Sequence, residues 1–261
     1  MVDVKWQFLF GQPVLPAKPI ADGPRPLFVL GAYPSALHVR WYGSGGNCLI
    51  NAVGVDNEPE PFWPGLDELQ RIRRWRDAVA FRAEWGRIEP CGPLNGSSGE
   101  WLDRRILGVL NTPRTNAWIT DCLDVYHESD DAAKRLDSDA IAAMVKRLDI
   151  PARCHRAHPS ESEIVNAALS GHTLRLLGEL QTAQPDCVVT LGNAALRVFN
   201  ALVESGGAQI RKLSPDDSYG TVLPVQVNGR DVDWIPLAHP AAPAVYQTAH
   251  DLWTMRRAQS A

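Results

Sequence analysis

No run of eighteen apolar residues occurs in the 261-residue chain, so no segment has the character of an ordinary membrane-spanning helix. Residues 1–12 also lack the basic, apolar and small-residue order of a secretory leader. The chain therefore reads as soluble and cytoplasmic, with no membrane partner. Cysteine is scarce: Cys48, Cys91, Cys122, Cys154 and Cys187 form no CxxC pair and are odd in number, which argues against a disulfide framework or a clustered metal site. The run Cys154-His155-Arg156-Ala157-His158 holds three donor residues, but no second cluster of comparable chemistry completes a four-ligand site. No metal and no cofactor is expected. A surplus of positive charge is missing too. With 26 Lys and Arg against 30 Asp and Glu, the formal net charge is −4, which excludes a protein that coats nucleic acid by bulk electrostatics. Internal repeats and heptads are absent, and a monomer is expected.

What is present is enough apolar material for one core. At 45% hydrophobic and 21% charged residues, the chain reads as a single domain over 1–261. Four apolar, β-branched runs at 26–30, 117–120, 187–191 and 232–237 read as buried strands. Apolar residues at helical spacing over 161–184 and 193–203 place helices between and after them. That alternation predicts an α/β protein, a three-layer α/β/α fold around a mainly parallel four-stranded sheet. Two hairpins are expected in addition. One pairs 39–42 with 48–53 around Gly43-Ser44-Gly45-Gly46; the other pairs 222–227 with 232–235 around Asn228-Gly229. The stretches 57–65 and 91–99 read as loops.

Ligand groups of parallel sheets gather beyond the carboxyl ends of the strands, which directs attention to a few loops. Gly31, Ala32, Tyr33, Pro34 and Ser35 can present backbone amides to a carbonyl or a phosphate, or form a plain strand-to-helix turn. His239, followed by Pro240, can donate to a developing anion or serve as a structural hydrogen-bonder. Asp121 and Asp124 can accept from a base, donate if burial keeps them protonated, or merely cap and pair. Phe62, Trp63 and Tyr33 suit stacking on a base or covering the core. The basic run 71–82, as a helix, carries Arg71, Arg74, Trp75 and Arg82 near one side, facing phosphate or only water. His158 copies the His-Pro pattern. Ser160 and Glu163 nevertheless form a capping box just after it, which assigns the segment to a helix start.

In order along the chain, LFVLGAYPSA, EPFWPG, AWITDCLDVY, PDCVVTLGNAALRVF and LAHPAAPAVY resemble the successive motifs of the uracil-DNA glycosylase superfamily. The resemblance implies a base-excision enzyme that flips uracil or a related deaminated base out of DNA and hydrolyses its N-glycosidic bond. It implies that Phe62 or Trp63 stacks on the base, that Asp121 reads its edge and that His239 faces its O2. Pro240, Ala242 and Pro243 would lie against DNA, with Arg74 as a phosphate contact. The chain departs from the family in three respects. Ala32 and Tyr33 stand where many members carry a water-positioning Asp, Glu or Asn; Asp121 stands where the family has an Asn; and the iron–sulfur cysteines of some branches have no counterpart. Asp124 and Asp56 are the carboxylates expected to replace the missing group. The alternative readings are a non-cutting protein that binds DNA or a modified base, and a nucleoside-type hydrolase.

Overall fold

The computed structural model describes residues 6–203 and 210–260. Eight strands run in chain order as β1 Leu27–Gly31, β2 Ala36–Tyr42, β3 Cys48–Asn57, β4 Arg87–Pro90, β5 Ala117–Asp121, β6 Cys187–Leu191, β7 Leu223–Val227 and β8 Arg230–Leu237. The helices are α1 Glu68–Ala78, α2 Ser97–Leu102, α3 Asp130–Leu136, α4 Asp139–Arg147, α5 Glu161–Ala167, α6 Thr173–Ala183, α7 Gly192–Leu202 and α8 Ala244–Ser260. None of them is long and apolar enough to cross a membrane.

The protein has an α/β fold whose central sheet has the order β5-β1-β6-β8-β7. The four expected runs form its parallel part: β1 lies between β5 and β6, and β8 follows β6. Strand β1 is buried along its whole length, as a strand covered on both faces must be. Strand β7 joins antiparallel to β8 as a fifth member, through the expected hairpin. Asn228 (φ 51°) and Gly229 (φ 72°) both take left-handed conformations, the pair a type I′ turn requires. Helix α7 packs on β1, β6 and β8.

The other hairpin belongs to a separate antiparallel sheet of order β3-β2-β4. Strand β4 was not apparent in the sequence, and β3 runs to Asn57, four residues beyond the expected end. This sheet has its own core. Phe10 packs against Trp41 (5.4 Å between ring centroids), Trp75 (5.7 Å), Phe81 (5.2 Å) and Trp85 (5.6 Å), and the Trp41 indole donates to the Trp85 carbonyl at 2.6 Å. Aromatic packing of this kind joins large apolar burial to a satisfied polar edge.

Three expected elements differ in detail. The stretch 161–184 is helical but interrupted by a π-turn at Ala168–His172. The stretch 91–99 is not all loop, because α2 begins at Ser97. Helix α1 stops at Ala78, before Ala80 turns left-handed (φ 46°). Its Ile72 and Trp75 face the second core, so Trp75 does not share the side of the exposed Arg74.

Helix α2 positions the site through Gly99, where a Cβ would collide with the backbone carbonyls of Phe62 and Trp63. The Arg114 guanidinium holds the same segment, donating to the Pro61 and Phe62 carbonyls and pairing with Glu60 and Asp103. Replacing Gly99 by Ala should therefore lower stability by about 1–3 kcal/mol, the usual penalty for overpacking. Urea denaturation measures it; an unchanged midpoint would show that α2 can move away freely.

Candidate active site

A cavity of about 370 Å³ opens where the carboxyl ends of β1, β5 and β8 meet the second sheet. The expected residues Ala32, Tyr33, Pro34, Ser35, Phe62, Asp121 and His239 line it. Joining them are His38 from β2, Glu58 just past β3, Ser98 on α2, and Tyr126, His127 and Ser129 from the segment after β5. A second cavity of about 280 Å³, lined by Ile20, Arg25, Glu60 and Arg114 among others, has no histidine in its wall. Among the described residues its one carboxylate, Glu60, is already paired with Arg114 at 3.2 Å.

Asp121 is the last residue of β5 and lies in register beside Gly31 of β1. Gly31 must be glycine, because a Cβ there would strike the Asp121 carboxyl and the Phe62 ring. Both carboxyl oxygens of Asp121 are buried and have no hydrogen-bond partner among the described residues. Arg175 approaches but is committed elsewhere. It donates to the Asp121 and Cys122 backbone carbonyls at 2.8 and 2.9 Å, to Thr120 at 3.2 Å and to Glu179 at 2.8 Å. Burial pushes the Asp121 pKa up to about 7, against the pull of Arg175 and with a smaller push from Glu179. Below that pH the group is a neutral acid with one donor and one acceptor.

The two lining histidines at the mouths of β8 and β5 carry opposite tautomers. His239 accepts the Ala241 N–H on Nδ1 at 3.2 Å, which leaves its proton on Nε2. Burial lowers its pKa to about 4, so the ring is a neutral donor at pH 7. His127 instead donates Nδ1–H to the Ala157 carbonyl at 3.0 Å, which leaves a bare Nε2 that is buried and unpartnered. Burial lowers its pKa as well. Tyr33 stands edge-on to His127 (5.3 Å between centroids), and its hydroxyl shares a 2.7 Å hydrogen bond with His158 Nδ1. The Ser160–Glu163 capping box is formed. His158 nevertheless braces a wall of the cavity, a role the local pattern did not disclose.

The remaining expected residues lie elsewhere. Asp124 faces His172 at 3.9 Å and does not line the cavity. Asp56 also lies outside it; its carboxylate accepts from Asn57 and Gln12, and burial raises its pKa. Trp63 turns away from Phe62 into the second core, donating to Asp67 at 3.0 Å while Arg71 covers its ring. Neither Arg74 nor Pro240, Ala242 and Pro243 enter the cavity wall. Ala242 closes a turn onto the His239 carbonyl at 2.9 Å and packs against the core.

No protein-family model matches this chain, and neither does any curated protein.

Among the described residues no group of three or more His, Cys, Asp or Glu could hold a metal ion. What the cavity does assemble is organic acid–base chemistry. It has an aromatic face in Phe62, whose ring centroid lies 6.2 Å from that of His239, together with a neutral acid, a neutral imidazole donor and a second carboxyl. That second carboxyl is Glu58, 9% exposed. It accepts the Ser35 backbone N–H, and its pKa is raised well above the usual carboxylate range by burial, then by Asp121 and Glu60.

The raised pKa of Asp121 has a consequence for stability. Unfolded, the group ionises near pH 4; folded, near 7. Its favourable contribution is complete below pH 4 and is lost as pH rises to 7. Asp121→Asn removes that loss, so the variant's advantage in melting temperature should grow between pH 5 and pH 8.5, by roughly 5 °C for a shift of this size. A pH-independent difference would mean that Asp121 is not held neutral.

Proposed function

We propose that this protein is a DNA glycosylase of the uracil-DNA glycosylase type, which removes uracil or a related deaminated base from DNA. The observation that carries this reading is the buried, unpartnered carboxyl of Asp121, neutral below a pKa pushed up to about 7, in the same cavity as the Nε2–H of His239. A neutral carboxyl offers a donor and an acceptor side by side, the complement of a lactam C(=O)–N–H edge such as O4 and N3–H of uracil or O6 and N1–H of hypoxanthine. His239 then donates to O2, where negative charge collects as the glycosidic bond breaks. Phe62, whose ring adjoins both groups, supplies the stacking face. The order of the five motifs and the position of the cavity at the strand ends agree with this assignment. Acting on chromosomal DNA, the enzyme would work as a monomer in the cytoplasm, at the nucleoid.

One observation favours a second reading, a nucleoside-type hydrolase. Among the described residues the cavity wall contains no Lys or Arg, and burial, then Asp121 and Asp130, raise the Tyr33 pKa. A phosphate finds no countercharge in that wall.

Labelled oligonucleotides containing uracil, hypoxanthine or xanthine, treated with protein and then alkali, test the proposal by strand scission. Cleavage is expected for at least one of them, with the rate falling above pH 7 as Asp121 ionises. His239 should contribute no titration between pH 5 and 9, and His239→Ala should lose about 10²–10³-fold in single-turnover rate, as removal of an anion-stabilising donor does. Hydrolysis of free nucleosides with DNA left intact would support the second reading instead. DNA binding without any cleavage would leave a recognition protein.

A further inference from the structure

The glycosylase reading lacks a first-loop acid to activate water, since Ala32 and Tyr33 carry none. On that reading, we infer that Glu58 is the general base, delivered from the second sheet in place of a first-motif carboxylate. The geometry comes from β3, which continues to Asn57 and hands the next residue to the cavity wall. Glu58 is 9% exposed and is held by the Ser35 N–H, an amide of the very loop that lacks the acid. Among the described residues the only other carboxyl lining the cavity is Asp121; Asp56 and Asp124 lie outside.

The surroundings divide the work between the two acids. Burial and the lack of an accepted hydrogen bond favour the neutral form of Asp121, against the pull of the Arg175 charge. For Glu58 burial is the largest effect and opposes the anion, as do Asp121 and Glu60, while the charge of Arg114 and the Ser35 N–H favour it. The active form carries a proton on Asp121 and none on Glu58; the Ser35 N–H and Arg114 favour it, while burial, the largest effect on Glu58, and the charge of Asp121 oppose it and raise the pH at which it forms. In the reaction the C1′–N bond breaks with its electron pair on the base, whose O2 accepts from His239. A water oxygen bonds to C1′ and its proton passes to the Glu58 carboxylate, which later returns it through solvent to the departed base anion. The Glu58 charge also stabilises the cationic sugar while the bond is broken.

Glu58→Gln separates chemistry from support, because the amide oxygen still accepts the Ser35 N–H but the group no longer takes a proton. With a uracil-containing or other cleaved oligonucleotide, Glu58→Gln should lose about 10²–10⁴-fold in single-turnover rate. Its affinity for an oligonucleotide bearing an uncleavable 2′-fluoro analogue should stay within about threefold of wild type, a difference of under 1 kcal/mol. Added formate should restore part of the rate to Glu58→Ala, where the cavity has room for a small carboxylate. A Glu58→Gln variant as fast as wild type overturns the inference, and so does an inactive Glu58→Ala that formate does not rescue beside an active Glu58→Gln, since that pattern marks a prop for Ser35. A wild-type protein that cleaves neither DNA nor nucleosides overturns the glycosylase reading itself, before Glu58 is in question.

Discussion

The fit of a carboxyl against a missing Cβ, Asp121 beside Gly31, is the constraint on which the rest of the site depends. Adjacent parallel strands bring the two residues into register at their carboxyl ends. Any side chain at 31 would evict both the acid and the Phe62 ring. Leaving two buried oxygens without partners typically costs about 1–3 kcal/mol per group. The surrounding structure sustains it through Arg175, which ties down the backbone at 121 and 122 while leaving the carboxyl free. An acid kept unsatisfied in a rigid frame is poised for a ligand rather than for the fold.

The frame has two parts with separate cores, and the cavity lies where they meet. The parallel sheet supplies Asp121 and His239 from strand ends. The antiparallel sheet supplies His38 and, through the long strand β3, Glu58. Asn95, just ahead of α2, holds β2 and α1 of the second part: it exchanges hydrogen bonds with the His38 backbone at 2.8 Å in both directions and donates to Glu68 at 2.6 Å. Phe62 is fixed from behind by Gly99 of α2 and by Arg114, which explains how a bulky residue keeps a left-handed backbone (φ 55°).

Strong local patterns made much of this legible in the sequence. The four parallel strands, the Asn228-Gly229 hairpin and the Ser160 capping box each rest on residues within one segment. Glu58 and His127 were not legible, because neither stands in a periodic run and each gains meaning only from a partner distant in sequence, Ser35 and Ala157 respectively. Phe62 and Trp63 looked interchangeable for the same reason. Their divergence is decided by tertiary contacts, with Trp63 claimed by Asp67 and Arg71. Asp56 and Asp124 are acids of the right type near the right strands, but strand register and the contact with His172 direct them elsewhere.

The opposed tautomers of His127 and His239 give the cavity a polarity. One wall offers a proton and another offers a lone pair, each set by a backbone group that no ligand can easily displace. A planar heterocycle is nearly symmetrical in outline, so shape alone would let it enter either way up. Turned over, it would set lone pair against lone pair at one side and proton against proton at the other, so the pocket acts as a keyed socket that accepts its guest in a single orientation.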